Sequence, residues 1–213
     1  MVAAVLTAKG RDITTASIFQ SALPSVPKIV AWGTNANGVT SASAPDIALF
    51  SEATEARTTG TGSVVTTTTA NDTFQVAGTI TCAGAGKTIA EVGLYDNATR
   101  STVNTTWATA PTTTSGTSGT LTANAGFASG NYAQDSSGEV MLFGTVASTA
   151  VTVITRGANG STAVAATAGD TVQLAAIPGA TVTGQNLFMH ANFTGIALNI
   201  GDSIAFTIQT KYT

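Results

Sequence analysis

The sequence predicts an all-β protein: an antiparallel β-sandwich or barrel-like domain with an inserted small β unit and one short N-terminal helix. Three observations carry that prediction. Threonine is the commonest residue, 41 of 213, and its branched Cβ suits a pleated, half-exposed surface better than a helix interior. Charged residues make up only 9% of the chain, against about 25% in an average soluble domain, so hydroxyls rather than charges must cover the surface. Finally, apolar residues alternate with small or polar ones in many short runs bounded by Gly, Asn and Asp. With 43% hydrophobic residues and a net charge of −3, the balance is the reverse of a disordered chain.

Residues 11–23 place Ile13, Ala16, Ile18, Phe19 and Leu23 at partly helical spacing and end at Pro24, which predicts the helix. Residues 28–33 read as a strand and 34–45 as a turn-rich loop. The segment 46–57 reads as a loop or a single helical turn. Residues 62–69 and 72–82 alternate around Asn71-Asp72 and predict an antiparallel hairpin. A further strand covers 89–95. Segments 186–194 and 202–212, split by the turn Asn199-Ile200-Gly201-Asp202, predict a second hairpin.

The organisation that follows is a main β domain made of residues 1–97 together with 186–213, interrupted by a β-rich unit at 98–185. The inserted unit opens on a Thr/Ser/Gly-rich stretch, 105–119, read as a loop. Strands are predicted at 139–146, 151–155 and 171–174. After the second of these, Arg156-Gly157-Ala158-Asn159-Gly160 supplies the residues of a tight turn, so 155–170 reads as a hairpin tip or extended loop.

Several chemistries lack the residues they require. No basic stripe is present to meet nucleic acid, and no segment reaches the ~18 apolar residues needed to span a bilayer. The short apolar run near the start has no basic region before it, so no export signal is expected. Cys82 has no partner cysteine and sits in an alternating run, where it reads as a buried hydrophobe. The stretch 81–88 ends in Gly-Lys-Thr like a phosphate-binding loop, but it starts with Thr81 and leads into β-branched residues rather than a helix. The single His190 lies in an apolar strand without a nucleophile motif. One Cys and one His do not make a zinc site. Asp46, Asp96, Asp135, Asp170 and Asp202 are turn-forming by default, with a calcium site conceivable if they converge. No cofactor and no catalytic residue is expected. Trp32 and Tyr95 read as core, whereas Trp107, in the polar insert, reads as an exposed aromatic fit to anchor a partner.

Set in order, Leu6-Thr-Ala-Lys-Gly-Arg-Asp12, Ile29-Val-Ala-Trp-Gly-Thr34, Ala48-Leu-Phe-Ser-Glu52, Thr79-Ile-Thr81, Ala90-Glu-Val-Gly-Leu-Tyr-Asp96, Asn186-Leu-Phe-Met-His-Ala-Asn-Phe193 and Leu198-Asn-Ile-Gly-Asp-Ser-Ile-Ala-Phe206 resemble a family of tailed-bacteriophage virion structural proteins. In that family the Gly-Leu-Phe-Asp strand runs almost directly into the Met-Phe-Ala-Arg strand, whereas here residues 97–185 intervene. Gly138-Glu-Val-Met-Leu142 and Val151-Thr-Val-Ile-Thr-Arg-Gly-Ala-Asn-Gly160 are similar to a small β module of phage virion proteins, with Thr167 where histidine is common.

The resemblance implies a non-enzymatic particle component found on the virion, on the outer surface of the capsid. Its expected form is a capsid decoration or cement protein whose partners are the major capsid protein and copies of itself, as a homotrimer. Neither nucleic acid nor membrane is an expected partner. Arg156, Asn159 and Trp107 are the candidate assembly contacts. The alternative is a tail, neck or fibre component, for which exposed aromatics around Trp107, Phe127 and Tyr132 are expected.

Overall fold

The computed structural model describes residues 4–19, 25–35, 41–101, 103–175 and 186–212. Its regular elements in chain order are β1 (Val5–Leu6), α1 (Ala8–Phe19), β2 (Ile29–Gly33), β3 (Thr58–Thr59), β4 (Thr61–Val65), β5 (Thr73–Thr81) and β6 (Lys87–Tyr95). There follow β7 (Asn104–Thr109), β8 (Ser118–Leu121), β9 (Tyr132–Asp135), β10 (Val140–Ala147), β11 (Ala150–Thr155), a 3₁₀ turn (Ala158–Gly160), β12 (Thr171–Leu174), β13 (Leu187–Leu198) and β14 (Ser203–Lys211). The all-β prediction with one short N-terminal helix holds.

Thr7 decides where α1 begins. Its hydroxyl accepts the Gly10 amide at 2.8 Å and its carbonyl accepts the Arg11 amide, the arrangement of an N-cap. The helix therefore starts ahead of the predicted Arg11. Pro24, its predicted stop, lies outside the described residues, as do 36–40 of the predicted 34–45 loop. Gly10 lets the helix lie on β13, since a Cβ there would stand 2.2 Å from the Phe188 carbonyl oxygen.

Two antiparallel sheets face each other, one ordered β1-β13-β6-β2-β3 and the other β14-β5-β4. Val30, Trp32, Leu94, Phe188 and Met189 from the first pack on Val76, Ile80 and Ile208 from the second. Cys82 joins this core, 1% exposed. The predicted hairpin around Asn71 forms, with β4 and β5 paired from Thr61↔Ala77 to Val65↔Thr73 and Asn71 at φ 60°.

The second predicted hairpin does not form. β13 pairs with β6 and β14 with β5, so the 199–202 turn carries the chain from one sheet to the other. The 82–86 connection does the same for β5 and β6, and the two turns bond together: the Cys82 amide donates to Asp202 and the Gly201 amide to Cys82, at 2.8 and 2.9 Å. β13 and β14 each carry an apolar face, and placing those faces opposite one another buries both, which edge-to-edge pairing would not. The segment 46–57 contains turns and one bridge, Gly33↔Glu52, and no helical turn.

All six strands from β7 to β12 belong to a closed barrel, ordered β10-β11-β8-β7-β12-β9. It has its own core of Trp107, Leu121, Phe127, Met141, Phe143, Val151, Ile154 and Val172. The stretch 105–119, expected to be a loop, supplies most of β7 and the start of β8 instead. Threonine favours the strand, and Gly119 leaves room for the Trp107 ring, which a Cβ would approach to 2.7 Å. The barrel meets the sandwich at residues 45–50. Gln173 Nε2 donates to the Leu49 carbonyl at 2.6 Å, the Ile47 amide to Gln134 Oε1 at 3.3 Å and Asn159 Nδ2 to the Pro45 carbonyl at 3.3 Å. Ile47 also packs with Val140 and Ala175.

Trp107 is the largest side chain of the barrel core and is 1% exposed. Trp107→Ala is expected to destabilise the barrel by about 3–5 kcal/mol, measured as a lowered urea midpoint at unchanged far-ultraviolet circular dichroism in water.

Candidate functional site

The densest polar constellation is built on β6 and β13. Glu91 lies on β6 with no exposed surface, and its carboxylate faces a segment without ladder partners of its own. It accepts the Ser51 amide at 2.7 Å, the Phe50 amide at 2.9 Å and the Asn35 amide at 3.3 Å. Buried amides must find acceptors, and one side chain serves three. Gly33 permits this approach, because a Cβ there would sit 2.2 Å from Glu91 Oε1 and 2.6 Å from the Ser51 carbonyl oxygen.

His190, on β13, completes the arrangement. Its Nε2 lies 3.1 Å from Glu91 Oε2 and its Nδ1 2.7 Å from Asp46 Oδ2. Asp46 in turn accepts the amide and hydroxyl of Ser43, each at 2.7 Å. The Phe50 ring stands edge-on to the imidazole at 4.7 Å. Burial alone would lower the pKa of the ring, but the hydrogen bonds and charges of Asp46 and Glu91 outweigh it and raise it above the ordinary value. With a carboxylate oxygen at each nitrogen, the protonated ring donates to both. Its contribution to stability is complete below the unfolded pKa of about 6.5 and is lost as pH rises through the higher folded value. Both ring nitrogens are occupied in holding the 43–51 loop, so the arrangement acts as an electrostatic staple.

The same loop is held further along. Tyr95 Oη accepts the Leu49 amide at 3.0 Å, and Arg57 makes a two-pronged pair with Glu52, both contacts 2.8 Å, while its guanidinium lies 3.7 Å over the Tyr95 ring. Glu55 accepts from Trp32 Nε1 at 3.2 Å, from the Ala83 amide at 3.0 Å and from Lys87. Burial works to raise the Glu55 carboxyl, but the Lys87, Ala83 and Trp32 donors hold it down at about 2. The Lys of the phosphate-loop-like stretch is therefore an ion-pair partner at the start of a strand.

The barrel repeats the device. Glu139, fully buried, takes a two-pronged contact from Arg156, Nε to Oε1 at 2.8 Å and Nη2 to Oε2 at 2.6 Å. It also accepts the amides of Gly157 at 2.9 Å and Val164 at 3.0 Å. Arg156 further donates to the carbonyls of Thr113 and Gly116, at 2.6 and 3.2 Å, and of Val164. One ion pair thus organises the turn after β11 and the loop between β7 and β8.

These placements correct the expected assembly contacts. Trp107 lies inside the barrel because the insert closes around it. Arg156 has the acidic and carbonyl partners anticipated for it, but they lie within its own chain, and its side chain is 6% exposed. Asn159, at φ 54°, forms part of the joint with Pro45. Phe127 is buried and Tyr132 partly so, so the aromatics that host contact called for do not project from the insert. The five aspartates sit at separate turns, where Asp46, Asp135, Asp170 and Asp202 accept nearby amides. Among the described residues, no group of three His, Cys, Asp or Glu side chains is placed to hold a metal ion. No helix among them is long and apolar enough to cross a membrane. Glu91 and Glu139 escaped the sequence reading, although one is a lone charge inside an apolar strand run and the other stands directly before one, in a charge-poor chain.

In comparisons with known proteins, no family model, no curated protein and no solved structure matches this chain.

Asp135 differs from the other buried acids. It has no exposed surface, its Oδ1 accepts the Ser137 amide at 2.9 Å, and its Oδ2 has no hydrogen-bond partner among the described residues. Burial pushes its carboxyl up to about 6, against the Ser137 hydrogen bonds, which lower it. The folded state therefore holds a proton that the unfolded chain releases near 3.8, and stability falls as pH rises between those values. Asp135→Asn is expected to match the wild-type melting temperature at pH 4 and exceed it by several degrees above pH 6.5, measured by thermal unfolding across that range. Arg156→Ala is expected to cost about 3–5 kcal/mol by leaving Glu139 charged and unpaired, read from urea denaturation at pH 7.

Proposed function

We propose that this chain is a non-enzymatic structural protein of a tailed-phage virion, acting as a capsid decoration protein. In this reading it binds the outer shell through contacts with the major capsid protein and with copies of itself. The mechanism is repeated burial of surface, about 1,600 Å² for a contact of standard size, which ties neighbouring capsid subunits together.

The observation that carries the reading is the outer face of the three-stranded sheet. Ala77 and Thr79 of β5 stand beside Thr207 and Ala205 of β14 in register, all four exposed, and the charge on this face comes from Lys211 at one corner. A flat surface of hydroxyl and methyl groups desolvates at lower cost than one of lysines and glutamates. Two further points support the reading: the order of motifs resembling phage virion proteins, and the use of Glu91 and Glu139 to hold backbone amides.

Particles of the phage that encodes the chain provide the test. Stripping the protein with mild denaturant is expected to lower the temperature at which DNA escapes on heating, while tails remain attached. Unchanged head stability together with lost adsorption to host cells would instead make it a tail component.

A further inference from the structure

We propose that β14 pairs with β14 of a second copy, antiparallel and about a two-fold axis through Thr207, joining two three-stranded sheets into one of six strands. This concerns the isolated protein and does not depend on the virion reading.

β14 is the edge of its sheet. It pairs with β5 without a break from Ser203↔Thr81 to Lys211↔Thr73, so no bulge twists it away. Residues 203–210 contain no charge, proline or glycine. Edges of this length are ordinarily protected by one of those devices. The hydrogen-bond alternation identifies the groups that face outward. The Cys82 amide bonds to the Asp202 carbonyl, and the Tyr212 amide to the Asp72 carbonyl, so even-numbered residues exchange bonds with the β5 side. By the alternation of an antiparallel ladder, the N–H and C=O of Ser203, Ala205, Thr207, Gln209 and Lys211 point away from it. Beside this edge lies an open groove of about 690 Å³ between β13 and β14, walled by Phe193, Ile196, Ile204 and Phe206.

The strand is complementary to itself. With the axis at Thr207, Ala205 faces Gln209 of the second copy and Ser203 faces Lys211, so every outward-pointing pair meets an outward-pointing pair. On the inner face Phe206 meets Ile208, apolar against apolar, while on the outer face Thr207 meets its own copy, a favourable cross-strand pair. A shift of one residue would set outward amides against groups already bonded to β5. Asp202 precedes the strand, and Lys211 is its last residue, with Asp72 of the neighbouring turn 4.0 Å from its ammonium. Antiparallel pairing brings these unlike charges to the same end, whereas parallel pairing would bring like charges together. Such an isologous contact is complete at two chains, not the three expected from the sequence.

Light scattering on the full chain during size-exclusion chromatography is expected to give twice the 21.1 kDa chain mass, falling toward one chain on dilution. Thr207 is exposed, so Thr207→Lys and Thr207→Glu keep the fold by circular dichroism. Each places two like charges at the axis, and each alone is expected to weaken pairing about tenfold or more. An equimolar mixture of the two is expected to restore it. A mass of one or of three chains at the highest attainable concentration overturns the proposal, as does a Thr207→Lys protein that dimerises like wild type. Failure of the mixture to pair again overturns the axis at Thr207.

Discussion

The imidazole of His190, held between Asp46 and Glu91, is the contact on which the rest of the sandwich depends. Asp46 belongs to a loop, Glu91 to β6 and His190 to β13, so one ring joins three separated pieces of chain. The loop it secures is irregular, and the amides of Leu49, Phe50 and Ser51 bond to side chains outside it. Glu91 takes two of its amides, those of Phe50 and Ser51, and Tyr95 a third, that of Leu49. The same loop then receives the barrel through Ile47 and Leu49. The docking of the inserted unit thus rests on a charge cluster buried in the host domain.

A charge-poor chain makes this arrangement conspicuous. Nineteen Asp, Glu, Lys and Arg side chains are spread over 213 residues, and several of them are buried in pairs rather than solvated. Burying an ion pair is no bargain in itself, because desolvation offsets the attraction. What makes Glu91 and Glu139 worthwhile is the set of backbone amides that each also accepts. A carboxylate can accept several donors at once, and charge-assisted bonds are stronger than neutral ones. Asp135 shows the contrast: it is buried with one oxygen unpaired, and its proton affinity rises accordingly.

With the charges drawn inward, the surface is left to threonine, serine, alanine and glycine. Such a surface offers little electrostatic repulsion to a second copy or to a flat partner. The three-stranded sheet shows this most fully, since its outer residues are mostly threonine, serine and alanine, joined by the Gln75–Gln209 amide pair and Lys211. Its open edge follows from topology. β5 has a neighbour on each side, whereas among the described residues β14 pairs with β5 alone.

The sequence by itself determined the fold class, the short helix, the hairpin at Asn71 and nine of the thirteen strands from β2 onward, with β3, β7, β8 and β9 missed, because strand alternation and turn chemistry are local. It also placed Cys82, Trp32 and Tyr95 in the core for the same reason. It misjudged the 105–119 stretch, where low complexity hid the inward Trp107, and the carboxyl-terminal pair, where a short turn was read as a hairpin. Only the tertiary structure decided which strands pair, that the insert closes into a barrel, and that Arg156 meets Glu139 and His190 meets Asp46. Those choices depend on which apolar faces cover one another and which distant carboxylate reaches a given amide. Both are set by contacts between residues far apart in the chain, which no local pattern records.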